Sequence, residues 1–229
     1  MRLEKASYKA IKYACLHFHY AKRFPLYSLS FSVFNDNEDW CGVILYGFGA
    51  TINISKPYNL PQGSVIELQR VALNGKHGST SKAVSISLKL LRKKCPLIKL
   101  VVSYADTNQN HTGIIYQAGN WFYEGEKKSM PIWFNKQGKQ IHSRNVNNKG
   151  EQLVFGKRKK TYTKDEVIKV LQDVKHKYIY PLDKSLIPLC KSLSKPYPKK
   201  EISDNSITAN AANFQLAEEG QHHLIAQTA

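Results

Sequence analysis

The sequence predicts a mixed α/β domain, one sheet with helices on its faces, carrying a basic C-terminal extension. Three observations lead there. The 229 residues, 42% of them hydrophobic, suffice for one domain with a substantial core. Two pairs of strand-like runs are joined by short polar turns, the connection that antiparallel strands use. Between those pairs a strand passes through a loop into a helix and back to a strand, which argues for a parallel pair and a mixed sheet.

The elements follow in chain order. Ile11, Ala14, Cys15 and Phe18 recur at helical spacing within residues 7–20, and Pro25 disfavours helix just before it. LYSLSFSVFNDNEDWCGVILYGFGA reads as two strands around the turn NDNED. SVIELQRVAL, residues 64–73, is the next strand; strict alternation puts Glu67, Gln69 and Val71 on one face and Leu68, Arg70 and Ala72 on the other. The loop NGKHGSTS leads to an amphipathic helix over 82–94, and CPLIKLVVSYAD returns as a strand. Residues 110–119 fit a short helix ended by Gly119, before a final pair of strands in WFYEG and PIWFNKQGKQIHS. Thr163 with Glu166 three residues on is a capping-box pattern, predicting a helix in the stretch that runs to about His176; YIYPLD reads as extended. From about Lys195 periodicity ceases, and the polar, acidic remainder reads as a disordered tail. The expected organisation is a catalytic domain over 1–156, a basic helical or extended segment over 157–194 packed on it, and a tail over 195–229.

Charge is the strongest bulk signal. The net charge is +17, and residues 157–200 alone hold 13 Lys+Arg against 4 Asp+Glu. Such a surface attracts polyanions, because each phosphate it neutralises releases condensed counterions. Arg158, Lys159, Lys160, Lys22 and Arg23 are the candidate phosphate contacts. No run of eighteen apolar residues marks a membrane span, and the N-terminus lacks a signal-peptide centre, so a cytoplasmic protein with no membrane partner is expected. The four cysteines are far apart, without metal or disulfide spacing.

Several polar groups stand where a core strand ends. The strand through Tyr104 delivers Asp106 to a carboxyl edge of the sheet, followed by Asn110, His111 and Tyr116; Asp106 and His111 are candidates for orienting an acceptor amine or taking its proton. Arg70 is a charge in an otherwise core strand, suited to holding an anionic or carbonyl oxygen ligand. Gly75, Lys76, Gly78, Ser79, Thr80 and Ser81 form a candidate donor-binding turn at a helix start, where free N–H groups favour anions. His17 and His19 make a His-x-His pair; beside Asp106, His19 would make a candidate iron or zinc site.

The element order resembles the GNAT acyltransferase fold, although the turn Gly75-Lys76-His77-Gly78 departs from the Gly-x-Gly/Ala core usual in coenzyme A-dependent members. FHYAKRFP, ELQRVAL, SYADTNQNHTGIIYQAGNWFYEG and HKYIYPLDK together resemble the bacteriophage Mom DNA-modification proteins over roughly residues 10–185. The resemblance implies a GNAT-like transferase that converts adenine in double-stranded DNA, flipped out of the duplex, to its carbamoylmethyl (acetamido) form at the exocyclic amine. It implies protection from host restriction in the cytoplasm of an infected or lysogenic bacterium. It carries Tyr20, Arg70, Asp106 and Tyr116 over as functional, with His19 and His111 beside them, and Tyr116 as a general acid toward the departing donor group. It associates iron with the family and leaves the acyl donor open between acetyl-CoA and a glycine-derived donor such as charged tRNA. A conventional GNAT acyltransferase acting on a protein or small amine, and a non-catalytic DNA-binding protein, remain the competing readings.

Overall fold

The computed structural model describes residues 1–49, 53–129, 131–171 and 173–199. The first strand, β1 (Arg2–Lys5), lies at the edge of the main sheet and precedes α1 (Tyr8–His17), whose first turn is capped by the Ser7 hydroxyl accepting from the Ala10 N–H at 3.2 Å. Ile11, Ala14 and Cys15 bury one face of α1 against the sheet. β2 (Leu29–Phe34) and β3 (Trp40–Gly47) form the expected hairpin, its turn held by Asn35 Oδ1 accepting from the Asn37 and Asp39 amides.

β4 (Val65–Leu73) pairs antiparallel with β3 but slips register: Arg70 sits opposite Leu45 and Leu68 opposite Tyr46, leaving Gln69 as the extra residue of a bulge. The bulge overturns strict alternation. Ile66, Leu68, Val71 and Leu73 share the core beneath α2 (Thr80–Lys94). Glu67 and Arg70, expected on opposite faces, therefore come to the same one, because an inserted residue reverses the side-chain phase beyond it.

β5 (Leu100–Asp106) runs parallel to β4 from Val65↔Leu100 to Leu68↔Ser103. After the short α3 (Ile114–Gln117) comes β6 (Phe122–Lys127). The anticipated final strand pair is divided between two sheets: β6 stays in the main sheet, while β7 (Ile132–Asn135) and β8 (Gln140–Ile141) begin a smaller one. A separate two-stranded ribbon follows, β9 (Glu151–Val154) with β10 (Lys157–Lys160).

The helix expected after Thr163 does not form. The capping box is present, but it opens only a 3-10 turn over Lys164–Glu166, and the chain continues as β11 (Val167–Val170), paired with β7. Val167, Ile168 and Val170 are β-branched and suit a pleated strand better than a helix. β12 (Lys175–Pro181) then inserts antiparallel between β5 and β6, giving the main-sheet order β1-β2-β3-β4-β5-β12-β6.

α2 and α3 cover one face of the sheet. α1 covers part of the other over β3 and β4, and α4 (Ile187–Leu193) covers another part of it, packing through Cys190, Leu189 and Leu193. Of the expected tail, Lys195 and Tyr197 are tied down: the Lys195 N–H donates to the Tyr123 carbonyl at 2.7 Å and the Tyr197 hydroxyl to the Trp121 carbonyl at 2.7 Å. Its remainder from 200 on lies outside the described residues. Among the described residues no helix is long and apolar enough to cross a membrane.

Candidate active site

β4 and β5 stop pairing after Leu68 and Ser103, while β5 stays paired on its other side with β12 as far as Asp106. A cavity of about 410 Å³ opens in the gap. The β4 bulge supplies Glu67, Gln69 and Arg70 to its wall, and the end of β5 supplies Tyr104 and Asp106. His19 and Tyr20 enter from the segment after α1, His111 and Tyr116 from the chain around α3, and Lys175 from the start of β12. All six residues proposed from sequence for catalysis or metal contact thus meet in one place: His19, Tyr20, Arg70, Asp106, His111 and Tyr116.

Tyr20 and Asp106 are directly linked. The Tyr20 hydroxyl donates to Asp106 Oδ2 at 3.2 Å, while Asp106 Oδ1 accepts from the Asn108 N–H at 3.2 Å, so capping and site roles coexist in one carboxylate. Lys175 Nζ lies 3.8 Å from Asp106 Oδ2. The His19 ring lies 4.3 Å from the Tyr20 ring, and His111 meets Tyr20 edge-on at 5.8 Å. Burial, with the Asp106 charge second, pushes the Tyr20 phenol up to about 12, so it stays protonated at neutral pH. Burial, followed by the positive charges of Arg70 and His111, pulls His19 down to about 4, so it is neutral there. The Ala21 N–H donates to His19 Nδ1 at 3.1 Å; the neutral ring therefore carries its proton on Nε2.

Among the described residues, the bulge leaves polar groups without protein partners. Arg70 Nε and Gln69 Oε1 are buried and meet no hydrogen-bond partner there, although an Arg70 terminal nitrogen donates to the Gln69 carbonyl at 2.6 Å. Orphaned buried groups on a cavity wall are costly until a ligand or water meets them. Glu67 is held above its ordinary range by burial, which the nearby charges of Arg70 and Lys175 oppose.

Tyr116 is buried, and its hydroxyl lies 2.7 Å from Ser103 Oγ, which donates to the Leu68 carbonyl at 2.9 Å. Ser103 has a single proton and a carbonyl can only accept, so Tyr116 donates to Ser103. In this arrangement the Tyr116 proton points at the sheet, whereas Tyr20 presents the phenol joined to the carboxylate.

The turn proposed for donor binding does not line the cavity. Gly75 and Gly78 adopt φ of 84° and 78°, as the turn requires. Ser79 Oγ caps α2 by accepting from the Lys82 N–H at 3.2 Å and lies 3.1 Å from Ser81 Oγ; Thr80 Oγ1 lies 2.7 Å from His77 Nε2; the Lys76 N–H donates to Asn74 Oδ1 at 3.0 Å. These hydroxyls serve the helix start.

The iron expectation does not fit this geometry. Among the described residues no group of three or more His, Cys, Asp and Glu side chains is placed to hold a metal. The His19 Nδ1 lone pair is taken by Ala21, and Nε2 is protonated, so the ring offers no free donor atom.

Of the candidate phosphate contacts, Lys22 and Arg23 follow Tyr20 directly; Lys22 Nζ donates to the His17 carbonyl at 3.1 Å, and Arg23 hydrogen-bonds Gln140. Arg158, Lys159 and Lys160 are exposed on β10, outside the cavity, with Arg158 3.4 Å from Glu151. Sequence reasoning missed Gln69 and Lys175 as wall residues; the first depends on the bulge and the second on the β5–β12 pairing, neither of which has a local signature.

The chain matches the model of the Mom protein family over residues 1–199. It is 30% identical over 134 residues to the methylcarbamoylase Mom of Escherichia phage Mu, an alignment covering 56% of this chain and 54% of that protein. The chain therefore spans about half the length of this curated relative. Similar solved structures include the spermidine/spermine N-acetyltransferase SpeG of Vibrio cholerae, at 11% identity and a TM-score of 0.44 over 81% of this chain and 96% of that one. Another is a putative acetyltransferase of Sphaerobacter thermophilus, at 9% identity and a TM-score of 0.35 over 78% and 92%. With a family match across the whole of its described sheet and cavity, the chain belongs to the Mom protein family.

Proposed function

We propose that the chain is a transferase that places a carbamoylmethyl group on the exocyclic amine of adenine in double-stranded DNA, shielding phage DNA from host restriction. The observation that carries this reading is the cavity in which the Tyr20–Asp106 pair faces the unpartnered Arg70 donor. Family membership and the phage Mu relative support it. The adenine amine lies inside the duplex, so the base must flip out at a cost of about a few kcal/mol, which the basic surface offsets. Asp106 orients the amine and takes its proton, with Tyr20 positioning the carboxylate and stabilising its charge. Arg70 Nε–H and the neutral His19 Nε2–H hold the carbonyl oxygen of the incoming group.

Atom accounting favours a glycine-derived donor over acetyl-CoA. The product group –CH₂–C(=O)–NH₂ contains nitrogen, which an acetyl group lacks. A glycyl group contains the same atoms, but simple acyl transfer joins the adenine nitrogen to its carbonyl carbon and yields the isomer N–C(=O)–CH₂–NH₂. Reaching the carbamoylmethyl product then requires a rearrangement that exchanges the two attachment points.

The test is tandem mass spectrometry of nucleosides from plasmid DNA of cells expressing the chain or its Asp106→Ala variant, grown with ¹⁵N-glycine. A deoxyadenosine heavier by the acetamido increment, carrying the label and absent in the variant, supports the reading. Fragmentation separates the two isomers. Unmodified adenine from folded, soluble protein refutes the reaction; an unlabelled modification refutes the glycine origin alone.

A further inference from the structure

The chain between β6 and β12 leaves and re-enters the sheet at one point. Lys127 and Lys175 are paired to each other, and Lys175 is also paired with Asp106 on the cavity wall. The excursion over 128–174 is basic, with 11 Lys+Arg against 4 Asp+Glu. Its β9–β10 ribbon has an unusual tip. Val154 pairs with Lys157, so the turn has two residues, Phe155 and Gly156, both at positive φ (49° and 76°). That is the turn for which Asn-Gly is the favoured pair, because a bulky side chain at positive φ is strained. Here a phenylalanine occupies the strained position with 100% of its surface exposed, beside Leu153 at 72%. Folding alone gains nothing from this choice.

The charges are as distinctive as the tip. Cross-strand partners share a face, so Lys157 and Lys159 project from one side of the ribbon with Val154 and Gln152, and Arg158 and Lys160 from the other with Leu153 and Glu151. All four cations are exposed. A lipid surface is one plane of charge and would use one face. A duplex groove has phosphates on both walls, and the major groove, about 12 Å wide, admits a two-stranded ribbon.

We propose that the β9–β10 ribbon enters a groove of the target duplex edge-on, its two basic faces against the two phosphate walls and Phe155 wedged among the bases. This rests on the reading of double-stranded DNA as the partner. The wedge stacks on bases as the target adenine leaves, which lowers the cost of extrusion.

The test measures binding, not chemistry: fluorescence anisotropy of the full chain with a labelled duplex carrying 2-aminopurine, over a salt series. Phe155→Asn should leave the melting temperature unchanged or higher, because asparagine suits the turn, yet weaken binding about tenfold and abolish the 2-aminopurine fluorescence rise. Phe155→Trp should preserve both. Lys157→Gln with Lys159→Gln, and separately Arg158→Gln with Lys160→Gln, should each lower the salt slope by about 1.8, at about 0.9 per phosphate contact. A silent Phe155→Asn overturns the wedge. A change confined to one face overturns groove entry, and preferential binding to phosphatidylglycerol vesicles overturns the nucleic-acid assignment. Hairpin-dependent duplex binding without adenine modification supports the ribbon and sinks only the proposed reaction.

Discussion

Replacing His19 with asparagine should flatten the acid limb of the chain's stability curve. His19 lies 9% exposed, and burial together with Arg70 and His111 lowers it from 6.5 to about 4, against a smaller opposing effect of Asp106. The folded value is below the unfolded one, so the unfolded chain binds a proton that the folded chain refuses. The associated stability is therefore fully present above about pH 6.5 and is lost as pH falls through about 4. At about 1.4 kcal/mol per pH unit, discounted because the cavity side of the ring meets water, the loss between pH 7 and pH 4.5 comes to about 2 kcal/mol. Asparagine puts an acceptor where Nδ1 stands, so the Ala21 contact survives while the titration disappears. Urea unfolding of both proteins at the two pH values measures the effect. The wild-type chain should lose about 2 kcal/mol more than the variant; equal losses would show that His19 is not held neutral by its surroundings.

Three further perturbations are informative. Tyr20→Phe should lower adenine modification about 10- to 100-fold, since it removes the hydrogen bond from the Tyr20 hydroxyl to the Asp106 carboxylate, a charge-assisted bond worth about 1.5–3 kcal/mol; quantitative nucleoside analysis reads the result. Gly113→Ala should destabilise by about 3 kcal/mol in chemical denaturation: Gly113 has φ of 83° ahead of α3, and a Cβ there would lie 2.3 Å from the buried Tyr178 ring. Lys177→Met should cost about 2 kcal/mol by the same measurement, because it strips the 2.9 Å partner from Glu124, which is 10% exposed and keeps Lys127 at 3.2 Å and the Tyr58 hydroxyl at 2.6 Å. Adding Glu124→Gln should recover most of that loss.

The polar residues of the cavity were legible in sequence because their types are expensive in a core. Arg70 within IELQRVAL and Asp106 at the end of VVSYAD each break an apolar pattern, and the structure puts them on one wall. Their relative facing was not legible. Alternation from Glu67 to Arg70 assumes a regular strand, and the register slip at Gln69 depends on how β3 lies alongside. The helix expected after Thr163 failed for a different reason. The capping box is a correct local signal, but it specifies only how a turn opens, and β-branched residues with a partner in β7 decided what followed. β12 was read as extended, yet nothing in HKYIYP announces that it will sit between β5 and β6, because pairing partners distant in sequence leave no periodic trace.

That position of β12 sets the order in which the molecule can be assembled. A ribosome delivers β5 and β6 long before β12, and these two strands are not neighbours in the finished sheet. The nascent chain must hold a vacant slot between them while the basic excursion is synthesised, and closing so long a loop is slow. Lys175, and the pairing that fixes Asp106, arrive with β12. A chain still tethered to the ribosome before that point has no finished cavity. Competence to react is thus tied to completion of nearly the whole fold, and a prematurely terminated product would retain basic surface without a working pocket.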